Sequence, residues 1–293
     1  MKDLLKADFY RIIKSVTFYV LLGICVALPL ITVLMVFGIN KGFIVMSQAQ
    51  DPEAPTFSLF TGKLLISGIY GLSSNAGLII PIFLAIFVGG DISNGLLRNK
   101  ILVGKSRAQI YFSHLIVTIA LGVAFITISA LIITPLTFLL VPYEVEMTGA
   151  EIRSIIFYYI LGTFVFVFMA SLVTMITLNL NHIVFPIVIV VLFGIGITVL
   201  TQLIATIPFD MFDKITIPTN IPNGFPIPLP DKIVIPTPFV KYLPCLIPVY
   251  SGNLFSSGHI GVLEFVLGLI SLILFSIIFT LTGVFSFKSK EIK

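Results

Sequence analysis

The stretch VTFYVLLGICVALPLITVLMVFGI, residues 16–39, contains no charged side chain. About 20 consecutive apolar residues form a helix that crosses the hydrocarbon core of a bilayer, which is about 30 Å thick. Further uncharged apolar runs occupy residues 64–90, 115–141, 154–209 and 265–287. The sequence therefore predicts an integral membrane protein.

The composition agrees with this prediction. Hydrophobic residues make up 58% of the chain, charged residues only 10%, and the mean hydropathy is +1.15, whereas about 25% of the residues of a soluble domain are charged. The net charge of +4 does not indicate nucleic-acid binding, because the basic residues flank apolar runs, where they orient membrane proteins. Cys25 and Cys245 show no spacing typical of a disulfide framework, and we expect free thiols.

The run 154–209 is too long for one span, because a single helix of that length would extend about 80 Å. The polar cluster Asn179 to His182, followed by Pro186, predicts a turn inside it. We therefore expect an all-α protein with a single transmembrane domain, 1–293, and six transmembrane helices. The expected spans lie at about residues 16–39, 66–90, 113–141, 155–178, 184–206 and 262–285.

The distribution of lysine and arginine predicts the orientation. Most of these 17 residues lie before the first expected span, between the second and third, and after the sixth. Because such residues are enriched on the cytoplasmic side, we expect a multi-pass protein of the plasma membrane, in a bacterial cell, with both termini in the cytoplasm. Residues 1–14 place Leu5, Phe9, Ile12 and Ile13 on one helical face, which predicts an amphipathic interfacial helix. The alternative is a solvated, positively charged lead-in to the first span.

The cytoplasmic segment 91–112 begins with DISNGLLRNKILVGKSR, residues 91–107. Ile92, Leu96, Leu97 and Ile101 recur at helical spacing, which predicts a short amphipathic helix. Its basic residues are Arg98, Lys100, Lys105 and Arg107. Two interpretations remain open: an anchor for lipid headgroups, or a docking surface for a cytoplasmic partner. The Gly104-Lys105-Ser106 string lacks the first glycine and the preceding strand of a phosphate-binding loop, so we do not expect nucleotide binding there.

Asp91-x-x-x-Gly95-x-x-Arg98-x-Lys100, followed by Gly104-x-Ser106-Arg107 and Tyr111, resembles the loop after the second span in permease subunits of type-2 ABC exporters. Members of that family often carry Glu at the position of Asp91. The amphipathic N-terminal helix, six spans and large last outer loop also resemble this family.

The resemblance implies a division of labour between chains. A separate ATP-binding cassette subunit would hold ATP and Mg and would contact a cytoplasmic coupling helix between spans 2 and 3, so this chain would need no cofactor. The coupling residues that it implies are Asp91, Gly95, Arg98, Lys100, Gly104, Lys105, Ser106 and Arg107. With six spans per chain, the path would lie between two permease chains, identical or paralogous.

The segment 207–260 is rich in proline and should form an extracellular loop between spans 5 and 6, because this density of proline prevents regular helices. Residues 215–217 and 233–235 are apolar enough for two short paired strands. The loop is expected to be a lid over the spans, or else a surface that recognises a substrate or partner. The resemblance also implies short re-entrant helices in this region, for which 249–255 is a candidate.

No catalytic or metal-binding motif is present, and His114, His182 and His259 lie near expected membrane boundaries on both sides. We expect a transport subunit that is not itself an enzyme, moving an amphipathic or hydrophobic substrate such as a peptide, an antibiotic or a lipid-like molecule. Two alternatives remain: a membrane-bound immunity or sequestration factor that does not pump, and a membrane-embedded enzyme.

Overall fold

The structure, a computed structural model, describes residues 1–50, 60–68, 70, 77–141, 148–180, 184–205, 214–218, 232–236, 242, 245–247 and 260–289. The helices of these residues are α1 (Lys2–Ile13), α2 (Val16–Gln50), α3 (Gly62–Gly68), α4 (Ile79–Ser93), α5 (Leu96–Leu102), α6 (Arg107–Leu140), α7 (Gly149–Asn179), α8 (Val184–Ala205) and α9 (Val262–Ser289). Two strands, β1 (Lys214–Pro218) and β2 (Lys232–Pro236), form an antiparallel pair.

Within the described parts of the chain, four helices are long and apolar enough to cross a membrane: α2, α6, α7 and α9. The number rises to five if α4 and α5, which meet at an angle of 58°, count as one broken span. Helix α8 contains an apolar stretch, Val184–Leu200, that is shorter than the 18 residues required of a span. These helices fit a multi-pass membrane protein.

The expected second span, 66–90, is not one continuous helix. Helix α3 ends at Gly68 and α4 begins only at Ile79. Of the residues between them, Tyr70, Gly77 and Leu78 are described, and they lie in turns.

Other boundaries agree more closely. Helix α7 ends at Asn179 and α8 begins at Val184, so the expected turn falls between two helices. The strands β1 and β2 include the apolar triplets predicted to pair, with Ile215 opposite Ile235. The candidate re-entrant segment 249–255 lies outside the described residues, as do His182 and His259.

Helices α6 and α7 form the centre of the bundle. In their most apolar windows 50% and 56% of the residues are buried, against 28% in α2 and 22% in α9. Phe125 of α6 and Phe166 and Phe168 of α7 are almost completely buried. Many apolar side chains of α2, α8 and α9 remain exposed on the outside of the bundle, for example Leu192 and Leu274. Such an exposed apolar surface is compatible with contact to the lipid hydrocarbon of a membrane.

The bundle has two chemically different ends. At one end, here called the α1 end, α1 packs on α6, α5 packs on α4 and α6, and Arg107 at the start of α6 donates to the Lys288 carbonyl near the end of α9. At the other end, the Lys63 Nζ lies 2.9 Å from the Glu151 Oε1, and the Glu151 side chain is only 1% exposed. The sequence motif of residues 91–107 belongs to the α1 end.

Candidate functional site

Two glycines shape the turns on either side of α5. Gly95 has φ +67° and precedes the helix, and Gly104 has φ +82° and follows it. Residues with a Cβ rarely adopt these angles, so glycine is the residue that allows the chain to leave α4 and enter α6 within so few residues. Gly95 and Gly104 therefore form the turns at the two ends of α5.

Helix α5 is amphipathic, as predicted. Leu97 is buried and packs with Val88 of α4 and with Ile110 and Tyr111 of α6. The next residue, Arg98, is exposed. The short helix is therefore fixed to the bundle through its apolar side and presents a cation to the surroundings.

Ser106 begins α6. Its Oγ accepts a hydrogen bond from the Gln109 backbone N–H, and the Gln109 side chain accepts one from the Ser106 N–H. This reciprocal arrangement is a capping box, which satisfies two of the amides that a helix N-terminus leaves unpaired. The described geometry therefore gives Ser106 a structural role at the junction between α5 and α6.

A buried ion cluster joins α1 to this junction. The Lys100 Nζ of α5 lies 2.7 Å from the Asp8 Oδ1 of α1, and the Ser113 hydroxyl of α6 donates to the Asp8 Oδ2 at 2.8 Å. The Asp8 side chain is 4% exposed and that of Lys100 is 14% exposed. The Asp8 carboxylate of α1 thus binds both α5 and α6.

A second carboxylate of the cluster comes from the end of α4. Arg11 of α1 donates a hydrogen bond to Asp91, which is 5% exposed, and the Lys100 Nζ lies 3.6 Å from the same Asp91 oxygen. The Arg11 guanidinium also lies 5.5 Å from the centre of the Phe87 ring, a distance typical of a cation–π contact. Two carboxylates and two cations balance each other in this cluster.

His114 completes the cluster from α6. Its Nε2 lies 3.2 Å from the Lys100 Nζ and 3.5 Å from the Asp91 Oδ2, and the side chain is 1% exposed. The imidazole of His114 therefore lies within reach of one cation and one carboxylate of the cluster, and it adds a contact from α6.

The surroundings stabilise the ionised form of Asp8. Burial by itself raises the pKa of this carboxyl group. The hydrogen bond from Lys100, the nearby positive charge and the hydrogen bond from Ser113 outweigh burial and hold the pKa below its ordinary value. Asp8 therefore remains a carboxylate at neutral pH and keeps its attraction for Lys100.

The predicted coupling residues divide into two groups. Asp91 and Lys100 point into the ion cluster and bind α1. Arg98 is exposed, Lys105 is half-buried, and Arg107 donates from Nη1 to the Lys288 carbonyl at 3.1 Å. The basic residues thus do not form one outward patch, because Lys100 is turned inward.

Sequence reasoning missed Asp8, Arg11, Ser113 and His114 as partners of the motif. A helix at residues 1–14 was predicted, and its apolar face was expected to include Ile13. In the structure Leu4, Asp8 and Ile12 are its buried residues, and Ile13 is 50% exposed. The one available signal was the i, i+4 spacing of Leu4, Asp8 and Ile12, which puts a carboxylate between two apolar residues.

The described residues contain no group of three or more His, Cys, Asp or Glu side chains arranged to hold a metal ion. The cluster consists of ion pairs and hydrogen bonds between side chains of α1, α4, α5 and α6. Comparison of the sequence with protein-family models gives no match, and comparison with curated proteins gives none either.

Proposed function

We propose that this chain is the membrane-spanning permease subunit of an ATP-binding-cassette exporter of type 2. It would contain six spans, with both termini and the α1 end in the cytoplasm of a bacterial cell. The observation that carries the proposal is the buried ion cluster, which joins α1, the end of α4, α5 and the start of α6 into one unit. A force applied to α5 therefore reaches three other helices directly.

The mechanical argument follows from the contacts. Helix α5 has only seven residues and is anchored by Leu97. Displacing it requires either that the Lys100 contacts with Asp8 and Asp91 break, or that α1 and α4 move with it. Breaking buried ion pairs costs several kcal/mol, so joint movement of these elements is favoured. Helix α6 extends for 34 residues from the same junction and would carry the motion to the opposite end of the bundle.

The energy source in this proposal lies on a separate subunit that binds ATP and Mg. The exposed Arg98, together with Lys105 and Arg107, would contact acidic residues of that subunit on the cytoplasmic side. A second permease chain, identical or paralogous, would complete the path for an amphipathic or hydrophobic substrate. Export fits a helix bundle whose described spans have apolar interiors, because such interiors provide no chain of ionisable groups for coupling to an ion gradient.

The experiment that tests the proposal is purification of the full chain from native membranes, with measurement of bound ATP-hydrolysing protein. The variant Arg98→Glu should reduce the recovery of an ATPase subunit, because it places a negative charge on the docking face of α5. Arg153→Glu is the matched control: Arg153 is also exposed but lies at the opposite end, near the start of α7. Its recovery of the ATPase should equal that of the unchanged protein.

The outcomes separate the competing functions. An ATPase that co-purifies with the unchanged chain and is lost on Arg98→Glu supports the exporter. If no ATPase co-purifies and the isolated chain protects cells without ATP, the chain is a sequestration or immunity factor instead. Turnover of a lipid or peptide by the isolated chain would identify it as a membrane-embedded enzyme.

A further inference from the structure

A groove runs along the outside of the bundle between α6 and α9, with α7 as its floor. Its volume is about 340 Å³, within the range of small-molecule binding sites. Ile277 and Leu281 on one wall are 53% and 50% exposed, and Phe112 on the other is 37% exposed, so the groove is open to the surroundings of the bundle. Ile119 of α6, Phe164 and Val167 of α7 and Ile273 of α9 complete its apolar lining.

The groove is apolar despite its three hydroxyl groups. Ser171 donates to the Val167 carbonyl, Ser276 to the Leu272 carbonyl and Thr280 to the Ser276 carbonyl, each within its own helix. Because these hydroxyl donors are already used, the walls favour a hydrocarbon occupant over a polar one.

The groove leads from the middle of α9 towards the α1 end. From Ile273 to Leu281 it covers about 12 Å along the helix axis, which is most of the roughly 15 Å depth of one leaflet of the hydrocarbon core. About 10 Å beyond Leu281, again by helical rise, lies Lys288, which is exposed and whose carbonyl accepts from Arg107. Lys288 therefore places a positive charge at the depth expected for a lipid phosphate.

We propose that this groove is a binding site for one anionic phospholipid of the leaflet at the α1 end. An acyl chain lies in the groove, and the phosphate contacts the exposed Lys288 side chain. A helix of a second copy fits less well, since a helix about 10 Å in diameter and as long as the groove has more than twice its volume. The site requires a surrounding bilayer but no ATPase, so it stands or falls separately from the transport proposal.

The test is native mass spectrometry of the full chain, released from nanodiscs that contain either phosphatidylglycerol or phosphatidylcholine. The unchanged protein should retain one lipid and prefer phosphatidylglycerol. Ile277→Trp fills the groove and should lower the retention of both lipids at least tenfold. Lys288→Gln should weaken phosphatidylglycerol binding about fivefold, the effect of one lysine near an anionic headgroup, and weaken phosphatidylcholine binding less, because choline neutralises the charge of its phosphate.

Ile278→Trp is the matched control, because Ile278 is the next residue of the same helix, is 41% exposed and does not line the groove. It should retain lipid normally. If Ile277→Trp does not fold, Leu281→Trp fills the groove from the same wall. Unchanged lipid retention in a folded groove variant, or equal retention of both lipids by the unchanged protein, would overturn the proposal. So would a disulfide between two Ile277→Cys chains in nanodiscs, since it would show a second copy over the groove.

Discussion

The contact between Asp8 and Lys100 is the part of the ion cluster whose energy is easiest to isolate. Replacing Lys100 by methionine keeps a long side chain in place but removes the cation 2.7 Å from the Asp8 carboxylate. Removing one partner of a buried pair costs about 3–5 kcal/mol, because the other charge is left desolvated. Asp8 still accepts a hydrogen bond from Ser113 and has the Arg11 guanidinium at 3.8 Å. We therefore expect Lys100→Met to lower the free energy of unfolding by about 3 kcal/mol, the lower end of this range.

A double-mutant cycle with Asp8→Asn tests whether this cost belongs to the pair. If the two residues interact as the distances indicate, the double variant will lose less stability than the sum of the single variants, by about 1–3 kcal/mol. The free energy of unfolding is measured in mixed micelles of a mild and a denaturing detergent. If the losses of the two single variants add up to the loss of the double variant within about 0.5 kcal/mol, Asp8 and Lys100 do not stabilise each other and the reasoning is refuted.

Hydrogen exchange of the α1 amides provides the second measurement. Lys100→Met should raise exchange over residues 2–13 more than over α7, because the cluster is what ties α1 to the bundle. Lys105→Met is the control: it removes a cation from the same loop, and the ion pairs found among the described residues do not include Lys105. Its stability should change by no more than about 0.5 kcal/mol, with exchange of α1 unaltered.

Two further predictions concern glycine. Gly95→Ala should cost about 1–2 kcal/mol of unfolding free energy, since an alanine disfavours φ +67°, whereas Gly90→Ala in the interior of α4, with no atom within 4 Å of the added carbon, should gain up to about 1 kcal/mol. Gly283→Ala should cost about 1–3 kcal/mol by overpacking, because its methyl group would overlap with the hydroxyl oxygen of the buried Tyr111. Gly196→Ala has open space and should not lower stability. In thermal unfolding, Gly95→Ala and Gly283→Ala should be less stable than the unchanged protein, and Gly90→Ala and Gly196→Ala should be at least as stable. Any other result would contradict the explanations given for Gly95 and Gly283.

Local chemistry made much of the fold predictable. Helix α1 and the amphipathic α5 follow from apolar residues at helical spacing, and the two turns follow from Gly95 and Gly104. The long apolar helices follow from runs without charge. These features depend on residues near each other in the chain, so their signals are complete in the sequence. The turns at Tyr70, Gly77 and Leu78 were not predicted within the second span, because the apolar residues around them dominate the pattern.

The ion cluster was not predictable in the same way, because its partners are distant in sequence. Asp8 and Lys100 are separated by 92 positions, and Arg11 and Asp91 by 80. The spacing of Asp8 between Leu4 and Ile12 distinguishes it from the exposed Asp3, but it does not indicate which cation Asp8 meets. A basic loop is equally compatible with cations that face outward, so Lys100 was expected to serve docking, whereas its nearest partner is the carboxylate of α1.

The charges also explain why α1 lies on the bundle. An amphipathic helix with residues such as Leu4, Phe9 and Ile12 gains similar hydrophobic energy from the membrane interface and from a protein surface, so apolar contacts alone do not choose between the two. The interface offers Asp8 no fixed cation, while the junction of α5 and α6 offers Lys100 and the Ser113 hydroxyl together. We infer that the cluster selects the position and rotation of α1, in the way that buried polar groups fix register elsewhere. An all-apolar version of α1 would then stay helical but lose its fixed position on the junction of α5 and α6.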